Sequence, residues 1–246
     1  MTLAADYPAT PYPGKRPGHS YVQIGDELVT LHDRGTFADW TLASPAQSER
    51  SLDEWLDDQG SVRMAGRVPL LSYGSNACPS KLVDLRGRPT AVTGPVVMTT
   101  CQVEGWAAAW CHGQRHDGAV PATLVQAPGR ERHFVWWVAP EQWAALDACE
   151  GSHGSERDAY DLVVMPQSSV LNDAGGTLRG VLAYLGASAS RLPMLDDAGE
   201  PFLVRDLDQH AARETLDKAG RCHRGVQLLT PLRGSDRTGC QLGRRK

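Results

Sequence analysis

The stretch Val68-Pro69-Leu70-Leu71-Ser72, followed by Tyr73-Gly74-Ser75-Asn76 and then Pro79, constrains the fold more than any other part of the chain. A short, mostly apolar run bounded by turn residues reads as a strand, and this one stops abruptly at Gly74. Pro79 has no backbone N–H to lose at a first helical position, so a helix through Leu82 and Leu85 begins there. The unit is strand, tight turn, helix. Glycine in such a turn permits a backbone course closed to other residues, and consecutive amides ahead of a helix can converge on partial negative charge. The same four residues also fit a plainer purpose, a turn in which Ser75 or Asn76 caps the helix.

Around this unit the pattern stays mixed. β-Branched and aromatic residues alternate between Gly and Pro over Gly94 to Trp110, Val120 to Gln126 and His133 to Val138, predicting three further strands of a sheet or small barrel. Pro140 opens a helix whose Trp143, Leu146 and Cys149 fall three apart on one face, with Gly151 placed to end it. Strands fit Tyr160 to Met165 and Gly180 to Leu185, and a charged amphipathic helix fits Asp206 to Lys218. Nearer the N-terminus, Ser20 to His32 alternates as a strand pair turning at Gly25-Asp26. Ser44 or Ser51 caps a helix through Trp55-Leu56, Ser51 having Glu54 at capping-box spacing. Asp6 to Gly18 carries Pro8, Pro11, Pro13 and Pro17 without an apolar period, and reads as an extended, mobile arm outside the fold.

Composition narrows the classes of function. An apolar share of 41% with 22% charged residues is that of a folded globular chain rather than a disordered one. A net charge of -4, from 25 basic and 29 acidic residues, offers no field for nucleic acid or acidic lipid, and Arg244-Arg245-Lys246 reads as a solvated tail. Apolar runs such as Phe134 to Ala139 and Trp106 to Cys111 fall far short of the roughly 18 residues of a membrane span. The prolines near the N-terminus stand where a secretory signal needs an unbroken apolar segment, so the expectation is a soluble, cytoplasmic protein. Its cysteines at 78, 101, 111, 149, 222 and 240 are dilute and irregularly spaced, as reduced thiols are.

Glu150 is the second feature with chemical content. A carboxylate in the last turn of a helix meets the negative end of the dipole, an unfavourable placement that raises its pKa. A carboxyl so tuned suits a group that accepts a proton and then returns it. The plainer reading is an exposed glutamate at a solvated helix end.

Taken together, Leu71 to Asn76, Val120-Pro121-Ala122, Leu146-Asp147-Ala148-Cys149-Glu150-Gly151, Tyr160 and the late strand Val181 to Tyr184 resemble, in order and spacing, the γ-glutamylcyclotransferase-like family. The resemblance covers about half the chain. It implies an α+β fold, a small mixed β-barrel flanked by helices, divided here into a flexible Pro-rich arm (1–18), an N-terminal extension (19–66), a cyclotransferase-like core (67–190) and a C-terminal extension (191–246). It also implies cyclisation of a small γ-glutamyl amide to 5-oxoproline with release of the amine, with no cofactor and no metal. Tyr73, Gly74, Ser75 and Asn76 fall on the substrate-binding turn and Glu150 on the acidic catalytic position. Tyr160 matches an aromatic position that either bonds the substrate or packs. Two departures bear on the substrate: Ala77 stands where a larger apolar residue is usual, and Asp161 where a basic or neutral one is.

Three other readings compete. Cys149 and His153 are four apart, as a thiolate and its activating imidazole would be, although Gly151 lies between them. Cys111, His112 and His116 lie close together but lack a matching second pair for a structural zinc site, and His210 and His223 read as ordinary histidines. The last is a non-catalytic module on the same fold that binds a small carboxylate-bearing molecule or a protein partner.

Overall fold

The computed structural model describes residues 2–43, 50–88, 91–150 and 159–218. Ser44, Gly151, His153, Cys222, His223, Cys240 and the tail Arg244-Arg245-Lys246 lie outside them. The strands are β1 (Thr2–Leu3), β2 (Tyr21–Ile24), β3 (Glu27–His32), β4 (Thr41–Leu42), β5 (Val68–Ser72), β6 (Val96–Trp110), β7 (Ala122–Val138), β8 (Tyr160–Val164), β9 (Val170–Asn172) and β10 (Leu182–Gly186). The helices are α1 (Leu52–Asp58), α2 (Pro79–Arg86), α3 (Trp143–Glu150) and α4 (Gln209–Lys218). Ser51 caps α1 through the reciprocal box with Glu54, and α4 starts after Asp208, whose carboxylate accepts the Ala211 N–H at 2.8 Å.

All ten strands join one sheet in the order β1-β3-β2-β6-β7-β5-β10-β8, with β4 on β3 and β9 on β6. Pairing is antiparallel except between β10 and β5. The α+β class is as expected, but the sheet does not close into a barrel among the described residues. The physical reason is an occupied edge: β6 has β7 along one side, and along the other β2 opposite Val96–Met98, β9 opposite Cys101–Val103 and the Leu203 segment bridged to Ala109.

Both faces of the central strands are covered, which is why β5 is a continuous apolar run rather than an alternating one. Leu70 packs with Leu82, Leu85, Ala145, Leu146 and Trp136 beneath α2 and α3. Its neighbour Leu71 points the other way, into a cluster with Val103, Leu124, Val135 and Ala183. Each such buried leucine contributes about 1.5–3 kcal/mol relative to exposure. At the foot of α3, Gln142 Oε1 accepts from Trp136 Nε1 and from the Ala139 N–H, both at 3.1 Å, anchoring the helix to β7.

Three further readings are corrected. Val120 to Gln126 and His133 to Val138 are one strand, because the Ala127-Pro128-Gly129 punctuation is absorbed as a register shift opposite Gly105. The segment before Tyr21 is not outside the fold: Thr2 pairs with Leu28 in the sheet, Ala4 is buried, and the Tyr12 hydroxyl accepts the Ala122 N–H at 3.0 Å. Prolines erase the apolar period of such a segment without preventing side-chain packing. The N-terminal hairpin β2–β3 likewise continues the same sheet through β6.

Candidate functional site

β5 delivers the chain to Tyr73, whose ring turns inward and whose hydroxyl donates to the Tyr184 carbonyl on β10. Ser75 to Ala77 form a single 3-10 turn closed by the Cys78 N–H on the Ser75 carbonyl at 2.9 Å, and α2 begins at Pro79. Gly74 between them has φ -104, so backbone handedness is not what requires glycine here. Space is: a Cβ on Gly74 would lie 2.6 Å from the Tyr12 hydroxyl oxygen.

Asn76 leaves this turn toward the last residue of α3, its Nδ2 donating to Glu150 Oε1 at 2.8 Å. The turn and Glu150 are therefore brought together, as the sequence reading expects. Glu150 is not the solvated helix end of the plainer reading. It stands at the wall of a cavity of about 340 Å³, lined also by Tyr73 to Asn76 and by Tyr160. Burial pushes the Glu150 carboxyl above its ordinary value, while the Asn76 bond and the charges of Arg115, Lys81 and Arg191 restrain the rise.

Two tyrosines hold the Val120-Pro121-Ala122 segment at the cavity. Tyr160 donates to the Ala122 carbonyl at 3.2 Å, and Tyr12 accepts from its N–H. A third, Tyr184, donates to Asp147 Oδ1 at 2.8 Å and ties β10 to α3. Burial pushes the Tyr12, Tyr73 and Tyr160 phenols up, so they remain neutral across the physiological range.

Several lining residues escape the sequence reading of this site: Tyr12, Arg88, Arg115, Arg191 and also His116, weighed there only as a metal ligand with Cys111 and His112. Tyr12 hides in the proline run, and the others sit among polar residues outside any periodic pattern. Arg115 lies over the Tyr12 ring at 6.0 Å and Arg191 over the Tyr160 ring at 5.9 Å, the geometry by which a guanidinium is attracted to an aromatic face.

The competing constellations fare differently. Cys149 lines the cavity, but burial and the neighbouring Glu150 charge push its thiol up, against the thiolate a nucleophile needs. Cys111 is buried, donates to the Arg191 carbonyl at 3.3 Å, and has its pKa pushed up to about 12 by burial. Among the described residues no group of three His, Cys, Asp or Glu side chains is placed to hold a metal ion. Cys78, Cys101, Cys111 and Cys149 are free thiols, and no helix among the described residues is long and apolar enough to cross a membrane.

No family model matches the chain, and no curated protein matches it. Solved structures similar to it include an uncharacterized protein from Homo sapiens at 16% identity, covering 65% of this chain and 93% of that one with a TM-score of 0.39. A gamma-glutamyl cyclotransferase is similar at 13% identity, with 70% and 96% covered and a TM-score of 0.40. YkqA from Bacillus subtilis is similar at 13% identity, with 85% and 73% covered and a TM-score of 0.37. Likenesses this distant assign no activity to the chain.

Proposed function

We propose that this protein cyclises a γ-glutamyl amide to 5-oxoproline and releases the amine, with Glu150 as the proton-transfer group. The observation that carries the reading is the bond from Asn76 Nδ2 to Glu150 Oε1, which fixes a carboxyl of raised pKa beside a turn of the Tyr-Gly-Ser-Asn type.

The chemistry fits one carboxylate. Glu150 takes a proton from the substrate's α-ammonium, and the freed nitrogen attacks its own γ-carbonyl carbon. A carbon–nitrogen bond forms and the carbonyl oxygen gains negative charge. When the original amide bond breaks, the leaving nitrogen takes the proton back from Glu150; the attacking nitrogen's second proton then passes by the same carboxylate to the departing amine, which leaves as an ammonium, and Glu150 ends as it began. A carboxyl pushed above its ordinary value surrenders the proton less readily to solvent and holds it for the leaving group.

Tyr73, Gly74, Ser75 and Asn76 are proposed to hold the glutamyl half, with backbone N–H groups at the start of the turn toward the oxyanion. One good donor of that kind is typically worth about 2.7–4 kcal/mol. The Tyr160 proton is engaged by Ala122, leaving an oxygen lone pair for a substrate N–H.

A second reading, a non-catalytic pocket for a small carboxylate, is favoured by the arginines on the cavity wall. Glu150→Gln separates the two. Loss of turnover with γ-glutamyl ligand still bound supports the enzyme, whereas unchanged turnover or unchanged binding without turnover in either protein removes the acid-base role.

A further inference from the structure

The segment ahead of β2 reaches the cavity through one side chain. Pro8 to Lys15 folds back on itself: the Gly14 N–H donates to the Pro11 carbonyl at 2.8 Å and the Lys15 N–H to the Pro8 carbonyl at 2.9 Å. Gly14 adopts φ +84, and a Cβ there would lie 2.7 Å from Cys78 Sγ, just past the Ser75 to Ala77 turn. Tyr12 therefore stands on a loop fixed against the site.

Tyr12 borders two cavities, and its two ends belong to different ones. The ring lies 6.0 Å from the Trp110 ring, which with Pro11 and Leu207 lines the second. The hydroxyl accepts the Ala122 N–H at 3.0 Å, and its oxygen would lie 2.6 Å from a Cβ on Gly74. Ala122 and Gly74 line the Glu150 cavity and not the second one, so the polar end of Tyr12 belongs to the Glu150 cavity. Among the described residues the Tyr12 O–H has no acceptor, and neither has the Gly74 N–H. Further along the same segment Arg16 Nη1 donates to the Tyr73 carbonyl at 3.3 Å, gripping the peptide that carries that N–H.

Resting on the cyclotransferase reading, we propose that Tyr12 is a catalytic residue whose hydroxyl donates a hydrogen bond to the substrate's γ-carbonyl oxygen as that oxygen becomes an anion, beside the Gly74 N–H. As the new carbon–nitrogen bond forms, the carbonyl π pair moves onto oxygen, and it returns when the amine is expelled. Tyr12 keeps its proton throughout. Burial above all, with the Glu150 charge adding to it, holds the phenol in its protonated form, so it acts as a donor. Its oxygen is already fixed by the Ala122 N–H, so little reorganisation accompanies the developing charge.

The test measures amine release by the full chain and by Tyr12→Phe, with the γ-glutamyl amide that wild type cyclises fastest and with its γ-thioamide, in which sulfur replaces the carbonyl oxygen. For the oxygen amide kcat is expected to fall by about a hundred- to a thousandfold with KM little changed, the usual cost of losing one oxyanion donor. For the thioamide the same substitution is expected to cost at least about tenfold less, because sulfur is the weaker acceptor. Equal losses with the two substrates would mean that Tyr12 only holds Ala122, and a loss confined to KM that it binds the glutamyl carboxylate; either overturns the oxyanion role. If Tyr12→Phe fails to fold, a fluorinated tyrosine in place of Tyr12 keeps the oxygen and strengthens the donor, and the ratio of amide to thioamide turnover is expected to rise. An unchanged ratio overturns the role. Turnover by wild type that Tyr12→Phe leaves intact overturns the proposal alone, whereas no amine from wild type with any amide overturns the cyclotransferase reading and the proposal with it.

Discussion

Asn76 and Glu150, 74 residues apart in the chain, meet at 2.8 Å across the mouth of α3. The bond ties the turn after β5 to the end of α3, and it opposes the effect of burial on the carboxyl. Removing it should therefore move activity along the pH axis as well as down. For Asn76→Ala the acidic limb of the kcat/KM profile is expected at higher pH, because more base is needed to keep Glu150 ionised. The maximum should fall by about 10- to 100-fold, the usual value of a hydrogen bond to a charged group. A lower maximum with an unmoved limb would mean that Asn76 only shapes the turn.

Glu150 should cost stability where it serves chemistry. Its folded pKa lies above the unfolded value, so the folded state binds the extra proton, and stability is lost as pH rises between the two values. Glu150→Gln keeps an oxygen for Asn76 and removes the charge. The variant is expected to unfold at a higher temperature than wild type at pH 8, with the gain closing as the pH approaches 4. A variant less stable than wild type at pH 8 would show the carboxylate to be structural.

Gly74→Ala tests the contact with Tyr12. Overpacking of this kind costs about 1–3 kcal/mol, and the atom in the way is the tyrosine hydroxyl. In Tyr12→Phe/Gly74→Ala the hydroxyl is gone, so the denaturation midpoint should recover much of the loss. Strict additivity of the two single changes would show that they do not share this space.

A separate buried network joins the C-terminal segment to the sheet. Glu131 accepts from the Ala108 N–H at 3.0 Å, from His133 Nε2 at 2.9 Å and from Arg205 Nη1 at 3.0 Å. Burial raises the Glu131 carboxyl, but those three partners outweigh it and hold it below its ordinary value. His133 is pushed down, chiefly by burial. Both groups bind fewer protons folded than unfolded, so their contribution is present at neutral pH and lost on acidification. Glu131→Ala is expected to destabilise by about 3–5 kcal/mol at pH 7. Chemical denaturation at pH 7 and pH 4 checks this, a constant difference being contrary to the account.

What was legible in the sequence was local. The strand ending at Gly74, the helix at Pro79, the hairpin at Gly25-Asp26 and the Ser51 box are signalled by residues within a few positions of one another. Glu150 was legible as a carboxyl at a helix end, but not its bond to Asn76, which depends on how α3 packs against β5. Tyr12 was lost because its partners, Gly74 and Ala122, are distant in sequence and its neighbours are prolines. Arg115 and Arg191 were lost because loop arginines look alike in sequence whether they face solvent or a cavity. The open sheet was illegible for the same reason, since which strand takes the second edge of β6 is a long-range choice.

The most direct measurement is mass-spectrometric detection of 5-oxoproline and free amine after incubating γ-glutamyl amides with the full chain and with Glu150→Gln. Wild type is expected to give equal amounts of the two products, and the variant a loss of at least about a hundredfold, as removal of a general acid and base typically gives. Product from both proteins at the same rate would contradict the role of Glu150, and no product from wild type with any amide would contradict the activity itself.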